Sequence, residues 1–192
     1  MKGVHKMSSN YVGWMSARGI AKFPWLHPKP DTKFNPEGKY KVSLVCDPTD
    51  KATKSLVEKI KEYRDDTFGK KASKAKVPYE TDPETGEIIF KMQSIHKPAF
   101  FDSSGKGIPE NAMVALFGGS ELRAGGVLGD YQSGGNVGVS LYMNKVQVIN
   151  PISTLSNDDQ SFESIDGGFQ TGGEEQFNDG SEEEEEDEST DF

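Results

Sequence analysis

Apolar and polar positions alternate most cleanly over residues 38–46, where Tyr40, Val42 and Leu44 interleave with Lys39, Lys41 and Ser43. A period of two predicts a strand with one apolar and one basic face. Asp47-Pro48-Thr49-Asp50 then sets up a helix. Thr49 or Asp50 can cap it, Ala52, Leu56, Ile60 and Tyr63 form its apolar stripe, and Gly69 marks its expected end. Weaker alternation predicts a first strand over 13–22, followed by an irregular loop over 23–36 stiffened by Pro24, Pro28, Pro30 and Pro36. Residues 69–79, with four lysines among small side chains, read as a mobile basic loop. Further strands are expected over 87–96, 98–102, 112–117, 121–124 and 136–149. The glycine-rich stretch 125–135 reads as a long hairpin loop with Tyr131 near its tip. In the last strand the apolar register shifts between Val139/Leu141/Met143 and Val146/Val148, which predicts a bulge near Asn144.

Five to seven short strands with one helix among them call for a way to hide sheet edges. A small closed β-barrel does this. No internal repeat and no regular alternation of strand and helix is present.

Charge divides the chain. Residues 151–192 hold 15 of the 31 acids and no Lys or Arg, so the other 150 residues carry a net charge of +6 beneath an overall −9. The expected organisation is a flexible N-terminus over 1–15, one domain over 16–152, and a disordered acidic tail over 153–192. The tail ends in Glu182, Glu183, Glu184, Glu185, Glu186, Asp187, Glu188, Ser189, Thr190, Asp191 and Phe192. An aromatic side chain beside a carboxylate makes a compact handle for a basic, apolar pocket. Phe162, Phe169 and Phe177 are spaced through the same acid, and a tail serving solubility alone gains nothing from them. A basic body carrying an acidic peptide suggests a nucleic-acid binder whose tail imitates the ligand.

Cys46 is the single cysteine, which excludes an internal disulfide and a thiolate metal cluster. No secretory signal and no run of about 20 apolar residues is seen. His5, His27 and His96 have no ligand spacing, and neither metal nor cofactor is expected. Asp31, Glu37 and Lys39 echo the Pro-Asp…Glu-x-Lys layout of metal-dependent nucleases, in which two acids hold Mg²⁺. Only five residues separate the two acids here, too few for the usual intervening hairpin.

Single-strand binding needs a basic groove and aromatic faces. Lys22, Lys39, Lys41, Lys91, Lys97, Lys106 and Arg123 are candidates for phosphate contact, as are Lys70, Lys71, Lys74 and Lys76 of the basic loop. Trp25, which can equally pack beneath its own loop, and Tyr131 are the candidate stacking residues.

Several segments in order carry a resemblance: Asn35-Pro36-Glu37-Gly38-Lys39-Tyr40-Lys41-Val42, the helix after it, Lys74-Ala75-Lys76-Val77-Pro78-Tyr79, Phe90-Lys91, Asp102-Ser103-Ser104-Gly105-Lys106, Gly118-Gly119-Ser120-Glu121-Leu122, the Tyr131 loop before Val137-Gly138-Val139-Ser140-Leu141, and the acidic close on Asp191-Phe192. Together they resemble the single-stranded DNA-binding proteins of short-tailed bacteriophages that encode their own replisome. The resemblance implies an OB-fold, a five-stranded Greek-key barrel with an inserted helix, and no enzymatic activity. It implies work in DNA replication, recombination, repair and strand annealing in the cytoplasm of an infected bacterium. Partners would be single-stranded DNA, a phage DNA polymerase and a helicase–primase bound through the tail, and a second copy in a homodimer; no membrane is involved. The tail would compete with DNA for the cleft. Lys91, Lys106, Arg123 and Tyr131 would fall on cleft-facing elements. Glu37 departs from the family, standing where a basic residue is expected. The alternative function is an adaptor whose acidic tail mimics nucleic acid without the body binding DNA.

Overall fold

Asp50, one of the two candidate caps, starts the helix: the carboxylate accepts from the amides of Ala52 and Thr53. This computed structural model describes residues 11–152. The helix, α1 (Lys51–Phe68), stops at Gly69, whose φ of 49° is a left-handed conformation suited to glycine. Around it lie β1 (Gly13–Met15), β2 (Gly19–Trp25), β3 (Tyr40–Cys46), β4 (Tyr79–Thr81), β5 (Ile88–Ser94), β6 (Ala99–Phe101), β7 (Glu121–Ser133) and β8 (Asn136–Asn150). Eight strands therefore form among the described residues, against five to seven expected.

Five of them close a barrel. β2 pairs with β3, β3 with β5, β8 with β7, and β7 returns to β2, all antiparallel; β5 and β8 run parallel. β1 extends from β7, β6 from β8, and β4 from β5. The interior is filled by Leu44, Phe90, Met92, Leu122, Leu141, Met143 and Val146, all buried. Leu56 and Ile60 of α1 join this core. Tyr63 fastens the helix to β7 by donating its hydroxyl to Asp130 at 3.3 Å.

Several expectations need correction. The first strand is two. Residues 16–18 break it, where Ser16 exchanges hydrogen bonds with Ala124 through its own amide at 2.8 Å and its hydroxyl at 3.0 Å. Gly13–Met15, placed by the sequence within a flexible terminus, pairs with β7, and Trp14 is buried. β2 runs on to Trp25 past Pro24, which sits where the register slips between Lys22 and Trp25. Proline is tolerated at such a bulge because no ladder bond is required of it.

The basic segment after α1, expected as a mobile loop, is ordered in its first part. Gly69–Lys74 is a 3₁₀ turn, and Ala72 and Ala75 are buried beneath the lysines. Lys76 then bridges Gly138 of β8: its amide donates to Val137 and its carbonyl accepts from Val139, each at 2.9 Å. No strand forms over 112–117. Backbone partners there are scattered, with Met113 bonded to Glu110, Leu116 to His27 and Phe117 to Ile152, so no single neighbour offers a ladder.

Gly125, Gly126 and Gly129 serve close approach rather than turning. A Cβ at Gly126 would stand 1.9 Å from the Tyr142 carbonyl oxygen. β7 therefore continues to Ser133, and the turn shrinks to Gly134-Gly135, both at positive φ as a two-residue hairpin requires. The expected bulge is present: Gly125 pairs with Lys145 and Gly126 with Met143, leaving Asn144 as the extra residue.

Gly126→Ala is expected to lower stability by about 1–3 kcal/mol or more in urea unfolding, because backbone must move to admit the methyl. Gly107→Ala, with nothing within 4 Å of the added carbon, should stay within about 0.5 kcal/mol of the parent.

Candidate nucleic-acid interface

Strand register sets a row of side chains across the outer face of the barrel. Trp25 lies opposite Lys41, Lys41 opposite Gln93, and Gln93 opposite Tyr142. Neighbouring strands are about 4.8 Å apart, so the row spans about 14 Å. It floors a groove of 740 Å³, whose lining also includes Phe23, Phe34, Ser43, Lys76, Lys91, Tyr131 and Ser140.

The rings rest on glycine. A Cβ at Gly129 would meet the Tyr142 ring at 2.4 Å, and one at Gly138 would meet the Tyr131 hydroxyl at 2.7 Å. Each tyrosine lies over a position where any side chain would meet it. Tyr131 is thus a half-buried residue within β7, not the tip of a glycine-rich loop. Phe34 and Phe23 stand on the opposite side of the groove, 70% and 78% exposed. Phe23 holds a left-handed backbone, with φ at 51°. An exposed phenylalanine in a strained conformation points to a role beyond packing.

Asp31 organises that side. It is 0% exposed, and its carboxylate accepts from the amides of Lys33 and Phe34, from Asn35 Nδ2 at 2.9 Å and from Lys41 Nζ at 2.6 Å. Its backbone bridges Lys39 in both directions. The Lys41 ammonium beside it, helped by the amides of Phe34 and Lys33 and by Asn35, holds the carboxyl down at about 2. The Nζ atoms of Lys33 and Lys41 stand 5.3 and 5.6 Å from the Phe34 ring centre. One buried acid therefore holds both a cation and an aromatic at the groove. A metal-dependent nuclease would need this carboxylate open to a metal; here both oxygens are engaged, while Glu37 is exposed on the adjoining turn.

The lysines differ in what they can release. Lys41 is held against a buried charge that would be costly to strand. Lys91 pairs with Glu80 at 2.7 Å, with both side chains exposed, and such a pair exchanges partners cheaply. Lys76 has no ion-pair partner among the described residues and is held at the groove by its backbone bridge to Gly138.

The remaining candidates lie outside this lining. Lys22 faces the Asp82 turn, whose carboxyl it helps to lower. Lys39 is tied by its backbone to Asp31. Lys70, Lys71 and Lys74 are exposed on the 3₁₀ turn. Lys97 pairs with Glu110 beside His27, and burial followed by Lys97 lowers the His27 pKa. Lys106 stands on a turn closed by Asp102. Arg123 lines a separate pocket with Lys145. The tail candidates from Glu182 to Phe192 lie outside the described residues. Sequence reasoning missed Phe23, Phe34, Gln93 and Tyr142. Tyr142 was detectable, since it alternates outward between Leu141 and Met143.

No helix among the described residues is long and apolar enough to cross a membrane. No protein-family model and no curated protein matches the chain. Solved structures share its fold. The gp2.5 single-stranded DNA-binding protein encoded by bacteriophage T7 is 20% identical with a TM-score of 0.66, over 84% of this chain and all of that one. The single-stranded DNA-binding protein from bacteriophage Enc34 is 12% identical with a TM-score of 0.56, over 76% of this chain and 86% of that one. The same Enc34 protein in complex with single-stranded DNA is 14% identical with a TM-score of 0.55, over 72% and 88%.

Replacing Asp31 by Asn tests the buried pair. A carboxyl whose pKa is depressed contributes stability above its ordinary value of 3.8 and loses it as pH falls through about 2. The gap in urea midpoint between wild type and Asp31→Asn should hold steady above pH 3.8 and narrow between 3.8 and about 2. A gap independent of pH would assign the contribution to packing rather than charge.

Proposed function

We propose that this chain binds single-stranded DNA with little sequence preference, in the groove of an OB-fold barrel. The carrying observation is the cross-strand row Trp25–Lys41–Gln93–Tyr142, flanked by Tyr131, Phe34, Lys76 and Lys91 in one groove. Bases stack on aromatic faces whatever their identity, at about 1–3 kcal/mol each, while cations follow the backbone. Gln93 and Ser140 offer hydrogen bonds too few to read a sequence. The shared fold with two phage single-stranded DNA-binding proteins, one solved with its DNA, supports the same reading.

The acidic tail competes with DNA for this groove and, once displaced, recruits a phage DNA polymerase and helicase–primase. Its charge supports the idea: 15 acids without a single Lys or Arg are matched to a body of +6. Work in replication, recombination, repair and annealing inside an infected bacterium, and pairing into a homodimer, complete the proposal on the strength of the sequence resemblance.

Fluorescence titration of labelled oligo-dT in EDTA at two salt concentrations tests it. Tyr131→Ala and Tyr142→Ala should each weaken binding by about 5- to 150-fold, which corresponds to about 1–3 kcal/mol. Lys76→Ala should flatten the log–log salt slope by about 0.7. Lys97→Ala, outside the groove, should leave affinity unchanged. Deleting residues 173–192 should tighten binding and remove partner recruitment. If neither the full chain nor the deletion bound oligo-dT, the adaptor function would take precedence.

A further inference from the structure

A second pocket, of 270 Å³, lies further along the β7–β8 hairpin and shares no lining residue with the groove. Two cross-strand rows floor it. Met15 of β1 lies opposite Gly125 of β7, and Gly125 opposite Lys145 of β8. In the next row Arg123 lies opposite Gln147, and Gln147 opposite Phe101 of β6. Arg123 and Gly125 share one face of their strand, as do Lys145 and Gln147. Gly125 brings no side chain to the middle of these rows, and the Lys145 stem crosses it: an added Cβ would stand 2.7 Å from Lys145 Cε. Arg123 donates Nε to the Ser16 carbonyl at 2.9 Å, which orients its guanidinium. Neither cation has an ion-pair partner among the described residues, and no carboxylate lines the pocket. Asp102, on the turn that carries Gly105, engages its carboxylate with the amides of Ser104 and Lys106. Gln147 donates Nε2 to the carbonyls of Asp102 and Ser103 at 3.1 and 3.2 Å, which leaves its Oε1 as an acceptor.

We infer that this pocket binds a pyrimidine nucleotide by its terminal phosphate, with the phosphate on Arg123 and Lys145 and the base between Phe101 and Met15. Charge selects the kind of phosphate. A phosphomonoester carries about −1.5 to −2 near pH 7, which two unpaired cations match. A diester inside a strand carries a single charge. The guanidinium suits a bidentate grip on phosphate oxygens, and the lysine adds a point charge. Shape and polarity select the base. Engineered cavities of about 150 Å³ admit benzene, so a six-membered ring is held here with space left for the phosphate. Phe101 is half-buried and Met15 exposed at the rim, so both offer apolar surface to a ring. Gln147 Oε1 can accept from an N–H of the base, a donor that a phenyl ring lacks. The ligand differs from that of the groove in both place and charge, and either assignment can fail without the other.

The test titrates the isotope-enriched full chain with dTMP and follows its amide signals. Those of Gly105, Gly125 and Lys145 should shift together and saturate at a lower dTMP concentration than any shift at Gln93 or Tyr142 in the groove. Thymidine, the methyl ester of dTMP and phenyl phosphate should each bind the pocket more weakly, the first two by about tenfold or more, since each lacks part of the charged contact. Lys145→Gln replaces an exposed side chain and keeps most of its stem. It should weaken dTMP by about tenfold or more while leaving the affinity for oligo-dT with a 5′ hydroxyl unchanged. Oligo-dT with a 5′ phosphate then identifies the source: pocket shifts caused by it assign the site to strand ends, and shifts caused by dTMP alone assign it to a free nucleotide. Pocket amides unmoved by dTMP, equal binding of dTMP and its methyl ester, tighter binding of phenyl phosphate, or full dTMP binding by Lys145→Gln would each overturn the inference. Binding of dTMP here without any binding of oligo-dT would instead remove the reading of the groove and leave this one standing.

Discussion

Close approach of the two strands of the long hairpin decides the rest of the structure. β7 and β8 pair over almost their whole length, and at Gly126 the partner carbonyl comes so near that no side chain is admitted. That contact lets β8 curve back to lie parallel with β5 while β7 reaches β2, which closes the barrel. The same hairpin carries Tyr131 and Tyr142 on glycine seats, receives the backbone of Lys76, and presents Arg123 and Lys145 further along its length. Barrel closure, the groove and the second pocket therefore share one covalent unit.

The groove divides labour between its charges. Asp31 neutralises Lys41 and in doing so holds Phe34 in place, so that cation contributes geometry more than free charge. Lys91 is held only by an exposed partner and Lys76 by its backbone, which leaves both side chains able to meet a phosphate. A groove built this way gains orientation from a buried pair that costs much to disturb. It keeps electrostatic responsiveness in pairs that cost little. Aromatic surface is arranged on both walls, with the tyrosines on β7 and β8, Phe23 on β2 and Phe34 on the proline-rich segment after it.

Local rules made parts of this legible in advance. The cap at Asp50, the end at Gly69, the two faces of β3 and the extra residue at Asn144 all follow from nearest-neighbour chemistry and periodicity. The glycine-rich stretch misled because glycine has two uses, turning the chain and admitting a neighbour; only the partner strand distinguishes them. The basic segment after α1 misled for a related reason. Alanines 72 and 75 look like filler until the surface that buries them is present.

By itself the sequence determined the mainly β character, the single helix, the division into basic body and acidic tail, and the supply of lysines and aromatics. These depend on period, composition and caps, which act within a few residues. Which lysines share a groove was decided by tertiary structure alone. Lys41, Lys76 and Lys91 meet because β3, the bridge to Gly138 and β5 bring distant segments side by side. Lys97 and Arg123, equally basic on paper, are carried elsewhere by the same closure. Register converts a residue's identity into a position on a surface, and register is set by partners far away in the chain.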